Sequence, residues 1–255
     1  MRLKLNISPC PNDTFMFDAL VNGRIDSCGV DFDVEYHDIE ELNIAALKGG
    51  AHVSKISCAI YPHISQRYEI CDSGAALGRG NGPLLVRRIA DKSPLRRVAV
   101  PGKYTTANAL IERLFPQIEE RVPMLFSDIA QSVERGEVDG GVLIHEGRFV
   151  YHKRNLELVA DLGLLWEQRT SLPLPLGAIV VRRDVDISTQ RLFGELLRRS
   201  VEYAFANPNE SREYIKSHAQ ELDDNVIDSH IKLFVNDYSL SLGDEGRAAL
   251  DQLFG

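Results

Sequence analysis

A two-lobed α/β fold is what this 255-residue sequence predicts, and three observations carry the prediction. Short apolar runs alternate with amphipathic ones through the first half, the βα rhythm of a largely parallel sheet. Two proline- and glycine-punctuated apolar strands, Gly82-Pro83-Leu84-Leu85-Val86 and Pro175-Leu176-Gly177-Ala178-Ile179-Val180-Val181, bracket a middle segment with βα units of its own, as hinge strands between lobes would. After Arg182 the signals become almost entirely helical. One lobe is therefore expected at 1–88 and 176–255, completed by a helical C-terminal third, and the other at 89–175.

The first residues move straight into a strand-like run, so strand Leu3–Ile7 opens the chain and helix Thr14–Val21 follows its turn. Strands Val30–Tyr36 and His52–Ile56 are each followed by a helical pattern, Ile39–Leu47 and Ala59–Gln66. Leu84–Arg88 is the first hinge strand. Arg97–Val100 then leads to helix Ala107–Leu114, and helix Asp128–Arg135, with Ser127 as N-cap and Gly136 as C′ residue, precedes strand Gly141–Ile144. Leu176–Arg182 is the return strand. Ser188 can cap a helix whose Leu192, Phe193, Leu196, Leu197 and Val201 form one buried stripe, Pro208 ends it, and helices fit Glu210–Ala219, Asn225–Asn236 and Glu245–Phe254. His218 and His230 lie in ordinary helical patterns there and read as structural.

Composition narrows the function classes. With 29 Lys+Arg against 37 Asp+Glu the formal charge is −8, which opposes attraction to phosphate backbones or anionic membranes, so neither nucleic acid nor a membrane is an expected partner. No secretory signal opens the chain and no run approaches the ~18 apolar residues of a membrane span, so a cytoplasmic location is expected. The four cysteines, Cys10, Cys28, Cys58 and Cys71, show no C-x-x-C spacing and read as free thiols. A zinc helix is also disfavoured, because Phe149 stands where H-E-x-x-H, begun at His145-Glu146, needs its second histidine.

In open α/β sheets ligands bind beyond the carboxyl ends of strands, where helix N-termini also point. That rule selects the Ser8–Thr14 turn, Ser57, Thr105-Thr106 and His145, which together suggest a polar cleft drawn from both lobes. Each has a plainer reading: Asn12 or Asp13 as a helix cap, Ser57 and the threonines as caps, and the Gly74–Gly82 stretch as a sharp turn rather than a phosphate loop, since it matches neither glycine motif. Cys10 sits in the right turn for a nucleophile but between two prolines, with nothing evident to activate it. His145 ends a continuous apolar strand and is the best candidate for a general base. His37, His52, His63 and His152 read as surface or packing residues.

Several motifs carry a resemblance over essentially the whole chain: Ser8-Pro-Cys-Pro-Asn-Asp-Thr-Phe15, Asp38-Ile-Glu-Glu-Leu-Asn43, Lys55-Ile-Ser57, Ser73-Gly-Ala-Ala-Leu-Gly-Arg-Gly80, Pro101-Gly102 with Thr105-Thr-Ala107, Ile144-His-Glu146 with Arg148-Phe149, and Leu174-Pro-Leu-Gly177. In these the sequence resembles the 1,4-dihydroxy-6-naphthoate synthases, the cyclic dehypoxanthinylfutalosine lyases of the futalosine route to menaquinone. The resemblance implies the type 2 periplasmic-binding-protein fold without an export signal, and no metal or organic cofactor. It implies His145 as proton acceptor, Lys55, Ile56, Ser57, Thr106 and Ala107 as substrate contacts, Asn43 in the same cleft, and a small-molecule carboxylate as substrate. Two alternatives stand beside it, chorismate dehydratase of the same pathway and a non-catalytic carboxylate-binding protein. The Ser8–Phe15 motif weighs against the first and the strand-end histidine against the second.

Overall fold

The computed structural model describes residues 1–89, 91–145, 147–219 and 223–255. The chain begins β1 (Arg2–Ile7), α1 (Pro11–Val21), β2 (Asp31–Tyr36), α2 (Ile39–Lys48), β3 (Val53–Ser57), a 3₁₀ turn Cys58–Ile60 running into α3 (Tyr61–Ile64), β4 (Tyr68–Ile70) and β5 (Ala76–Gly78). It continues β6 (Leu84–Arg88), β7 (Arg97–Val100), α4 (Thr106–Leu114), β8 (Glu120–Pro123), α5 (Phe126–Arg135), β9 (Gly140–Leu143), α6 (Gly147–Val150), β10 (Leu156–Asp161) and α7 (Leu162–Thr170). It closes β11 (Leu174–Arg182), α8 (Ile187–Ala206), α9 (Arg212–His218), α10 (Asp224–Phe234), α11 (Asp237–Leu240) and α12 (Gly243–Phe254).

Two sheets result. The first has the order β2-β1-β3-β11-β4, with β5 also paired to β11, and the second β10-β6-β9-β7-β8. Within the βα strands pairing is parallel, β1 with β2 and β3 and β7 with β8 and β9. The strands expected as hinges break that pattern. β11 runs antiparallel to β3, β4 and β5, and β6 antiparallel to β9 and β10, so the sheets are mixed rather than largely parallel. Each runs against the direction of the βα strand beside it, β11 against β3 and β6 against β9. Leu84–Arg88 pairs entirely inside the second sheet, which sets the sheet boundary one strand ahead of residue 88.

The core follows the apolar pattern. In β11, Ile179 and Val181 face α1 and α8, while Ala178 and Val180 face the opposite cluster with Ile56, Leu77 and Leu250. The stripe expected on the long helix is buried at Phe193, Leu196, Leu197 and Val201, each contributing roughly 1.5–3 kcal/mol by leaving water.

Helix starts differ from the expectations in an instructive way. α1 begins at Pro11, whose fixed φ suits the first helical position, with Cys10 as N-cap, so neither Asn12 nor Asp13 caps it. Asp186 rather than Ser188 caps α8, accepting from Thr189 N at 2.9 Å. Helix α5 begins ahead of Ser127, at Phe126, without a side-chain cap, and ends as expected at Gly136 in the left-handed conformation (φ 73°). Thr105 does cap α4, accepting from Asn108 N at 3.2 Å. The short strands β4, β5, β8 and β10 and helix α7 were outside the sequence expectations, and the helix expected at Ala59–Gln66 is the 3₁₀ turn and α3. No helix among the described residues is long and apolar enough to cross a membrane.

Candidate active site

The turn after β1 is built around a carboxylate. Asp13 is fully buried and accepts from Ser8 Oγ at 2.6 Å, Ser8 N at 3.3 Å, Asn12 Nδ2 at 2.9 Å and Lys55 Nζ at 2.8 Å. Lys55 reaches it from β3, across a strand position where Gly177 of β11 leaves room: a Cβ there would stand 2.8 Å from Lys55 Cε. A buried ion pair of this kind holds only because its remaining lone pairs are also satisfied. Asn12 carries the network onward. Its Nδ2 donates to Asp13, so its Oδ1 is the acceptor for His230 Nε2 at 3.0 Å, and His230 is therefore the Nε2–H tautomer. Burial, and then the nearby Lys55 and Arg148 cations, hold the His230 imidazole well below its ordinary value of 6.5, so it is neutral.

His145 comes from the other sheet. It follows β9 in the left-handed conformation, φ 51°, which costs a residue with a Cβ on the order of 1–2 kcal/mol and is the kind of strain found at functional sites. Its ring stacks on His230 with centroids 5.8 Å apart and planes 5° from parallel, meets the edge of Phe126 at 5.0 Å, and places Nδ1 3.6 Å and Nε2 3.9 Å from Cys10 Sγ. The strand-end histidine thus meets the Ser8–Thr14 turn, as the crevice rule requires.

Two hollows share this histidine, together with Ser8 and Ile39. One, about 160 Å³, is walled by Cys10, Tyr36, His37, Phe126 and His230. The other, about 90 Å³, is walled by Lys55, Ser57, Thr106, Ala107, Arg148 and Leu176. Both exceed the roughly 30 Å³ share of one water, so they suit organic groups rather than single solvent molecules.

The expected contact residues divide into two groups. Lys55, Ser57, Thr106 and Ala107 face the second hollow. Asn43 and Ile56 do not. Asn43 is fully buried behind Ser57, donating from Nδ2 to Ser57 Oγ at 3.0 Å and accepting from Ser57 N at 2.9 Å, so it orients the serine and leaves the hydroxyl hydrogen directed elsewhere. Ile56 alternates to the opposite side of β3 and packs in the core. Thr106 Oγ1 is spent on the scaffold, donating to Leu176 O at 2.8 Å and accepting from Ala59 N at 3.2 Å. The first-turn N–H groups of α4 at Thr106 and Ala107 remain of the kind that lacks intrahelical partners.

Glu40 of α2 ties the two sides together by accepting from Lys103 N at 2.7 Å and Tyr104 N at 3.1 Å. Gly102 is needed there, since its φ of 135° suits glycine alone and a Cβ would stand 2.5 Å from Glu40 Oε2. His230, read from the sequence as structural, and His37, read as a surface or packing residue, both line the first hollow. Glu146, part of the strand-end motif, lies outside the described residues. Among the described residues no group of three or more His, Cys, Asp or Glu is placed to hold a metal ion.

Comparison with known proteins extends this picture. A family model described as "Menaquinone biosynthesis" matches residues 3–255. The chain is 47% identical over 257 residues to a Thermus thermophilus protein named 1,4-dihydroxy-6-naphtoate synthase, covering 99% of this chain and 92% of that one. A Streptomyces coelicolor protein of the same name is 42% identical, with 97% and 90% covered. Among solved structures, an Archaeoglobus fulgidus protein superposes with a TM-score of 0.92 at 35% identity, covering 99% of this chain and 95% of that one. A Candida albicans protein described as having the generic periplasmic binding protein fold superposes at 0.69 with 13% identity, covering 99% and 90%. The two-lobed periplasmic-binding-type fold expected from the sequence is the fold of this chain.

Proposed function

The chain belongs to the menaquinone biosynthesis family, and from that premise we propose that it is a lyase converting cyclic dehypoxanthinylfutalosine to 1,4-dihydroxy-6-naphthoate, with His145 as general base. The observation that carries the reading is the position of His145: a strained residue where both hollows meet, stacked on a histidine that is held neutral. A neutral His230 adds no positive charge beside the base, so proton uptake by His145 is not opposed from that side. The Asp13–Asn12 chain fixes the His230 ring and so the surface on which the His145 ring rests.

In this reading the cleft closes on a small-molecule carboxylate between two jaws, one carrying the first sheet and the other the second, with β6 in the second. Ser57 and the N-terminus of α4 orient polar oxygens, while Lys55 acts through Asp13 to hold the base's surroundings. His145 in its neutral form takes a proton and the sugar-derived fragment departs, leaving the bicyclic acid. Closing the cleft excludes water and fixes orientation, the terms that make such a proton transfer efficient. The enzyme works in the cytoplasm.

Replacing His145 with Ala should lower turnover of cyclic dehypoxanthinylfutalosine by roughly 10²–10⁴ while the product still binds. Following naphthoate release chromatographically tests the first half and a fluorescence titration with naphthoate the second, and near-normal turnover in His145→Ala would remove the assignment.

A further inference from the structure

We propose that the Arg148 guanidinium is the seat for the carboxylate of the molecule in the cleft, an inference that rests on reading the cleft as the site of a naphthoate-forming lyase. Arg148 lies three residues beyond His145 and faces the same hollow as Ser57, Thr106 and Ala107. Its side chain is only 11% exposed, and its single ion-pair partner among the described residues, Asp161, leaves Oδ2 3.7 Å from Nη2, too long for a hydrogen bond. The other oxygen of Asp161 is committed to the start of α7, accepting from Gly163 N at 2.9 Å and Leu164 N at 3.0 Å. Nη1 is buried with no acceptor among the described residues.

Leaving a buried charged donor unmet costs on the order of 1–3 kcal/mol or more, and a neutral residue at 148 would avoid that cost. The cost is recovered only if something enters to meet the donor. A guanidinium presents a planar fork that a carboxylate fits with two parallel hydrogen bonds. The second cation of this hollow, Lys55, is already held by Asp13 at 2.8 Å, which leaves Arg148 as the one with donors to spend. Ile39, Ile144, Leu176 and Phe234 flank the same space, so the favoured ligand is a flat apolar body carrying one carboxylate, placed with its ring beside the imidazole of His145.

Fluorescence titration of the full chain with 2-naphthoate and with its uncharged isostere 2-naphthamide reads this directly. The wild type should bind the carboxylate at least ~10-fold more tightly than the amide, the low end of a charged hydrogen bond's contribution. Arg148→Met should bring the ratio to about 1, and Arg148→Lys, which keeps the charge and loses the fork, should fall between. A wild-type ratio persisting in Arg148→Met overturns the proposal, as does a wild type that binds neither probe or prefers the amide. Should the methionine variant fail to fold, a wild-type ratio in Arg148→Lys overturns it equally. Turnover of cyclic dehypoxanthinylfutalosine by the wild type, measured alongside, separates the two readings. Turnover with an unchanged ratio removes the role of Arg148 alone, whereas a ratio that collapses in a protein without turnover removes the lyase and keeps the anion seat.

Discussion

On the first-sheet side of the cleft the charges are mutually satisfied: Lys55 lies 2.8 Å from Asp13, which also holds Ser8 and Asn12, and Asn12 holds His230. On the second-sheet side, among the described residues, Arg148 stands 3.7 Å from its ion-pair partner Asp161 with a buried nitrogen unmet, and His145 occupies a strained backbone conformation. The first side is buried throughout, whereas His145, Arg148 and Asp161 on the second are only partly buried. Satisfaction separates the two sides further. The first side pairs its charges within the fold, although the neutral His230 keeps an unmet Nδ1 among the described residues, while the second leaves a cationic donor unmet. A site divided in this way spends its folding stability on one wall and reserves its unmet donors for binding on the other.

The sharpest way to break the comparison is Lys55→Met, which strands the Asp13 carboxylate in the interior. A loss of about 3–5 kcal/mol in urea unfolding is expected. A loss below about 1 kcal/mol would mean that the platform does not depend on its ion pair.

A smaller effect comes from His230. Its proton affinity is depressed in the folded state, so as pH falls below 6.5 the unfolded chain takes up a proton that the native protein refuses. Stability should therefore fall toward acid with a slope of up to ~1.4 kcal/mol per pH unit from this group. Urea unfolding at pH 7.5 and 5.5 should show His230→Phe losing about 1 kcal/mol less than the wild type between the two. Parallel losses would place a proton on His230 in the native state.

The smallest effect is expected on the other wall. Arg148→Met removes a charge that the fold does not satisfy, so unfolding stability should stay within about 0.5 kcal/mol of the wild type or rise. A loss comparable to that of Lys55→Met would make the two walls alike and end the contrast.

Much of this was legible in the residues. The βα rhythm, the buried stripe from Phe193 to Val201, and Thr105 as a cap all follow from local periodicity and local hydrogen bonding, which a sequence displays directly. His145 was visible because a polar residue ends an uninterrupted apolar strand. His230 was not, because a histidine at a helical core position looks the same whether it packs on leucine or on another imidazole; only the arrival of α10 against the Ser8–Thr14 turn distinguishes the two. Asn43 shows the converse. Its motif marked it as important, but the register of α2 on β3 set it behind Ser57 instead of in the cleft.

By itself, then, the chain's order of residues determined the alternation of strands and helices and the imidazole at a strand tip, since these depend on neighbours within a few positions. Strand direction in β6 and β11, the partner of Lys55 and the unmet nitrogen of Arg148 were decided by segments far apart in sequence coming together. Whether a buried charge is paired depends on which distant atom lies within about 3 Å, and no local pattern encodes that distance.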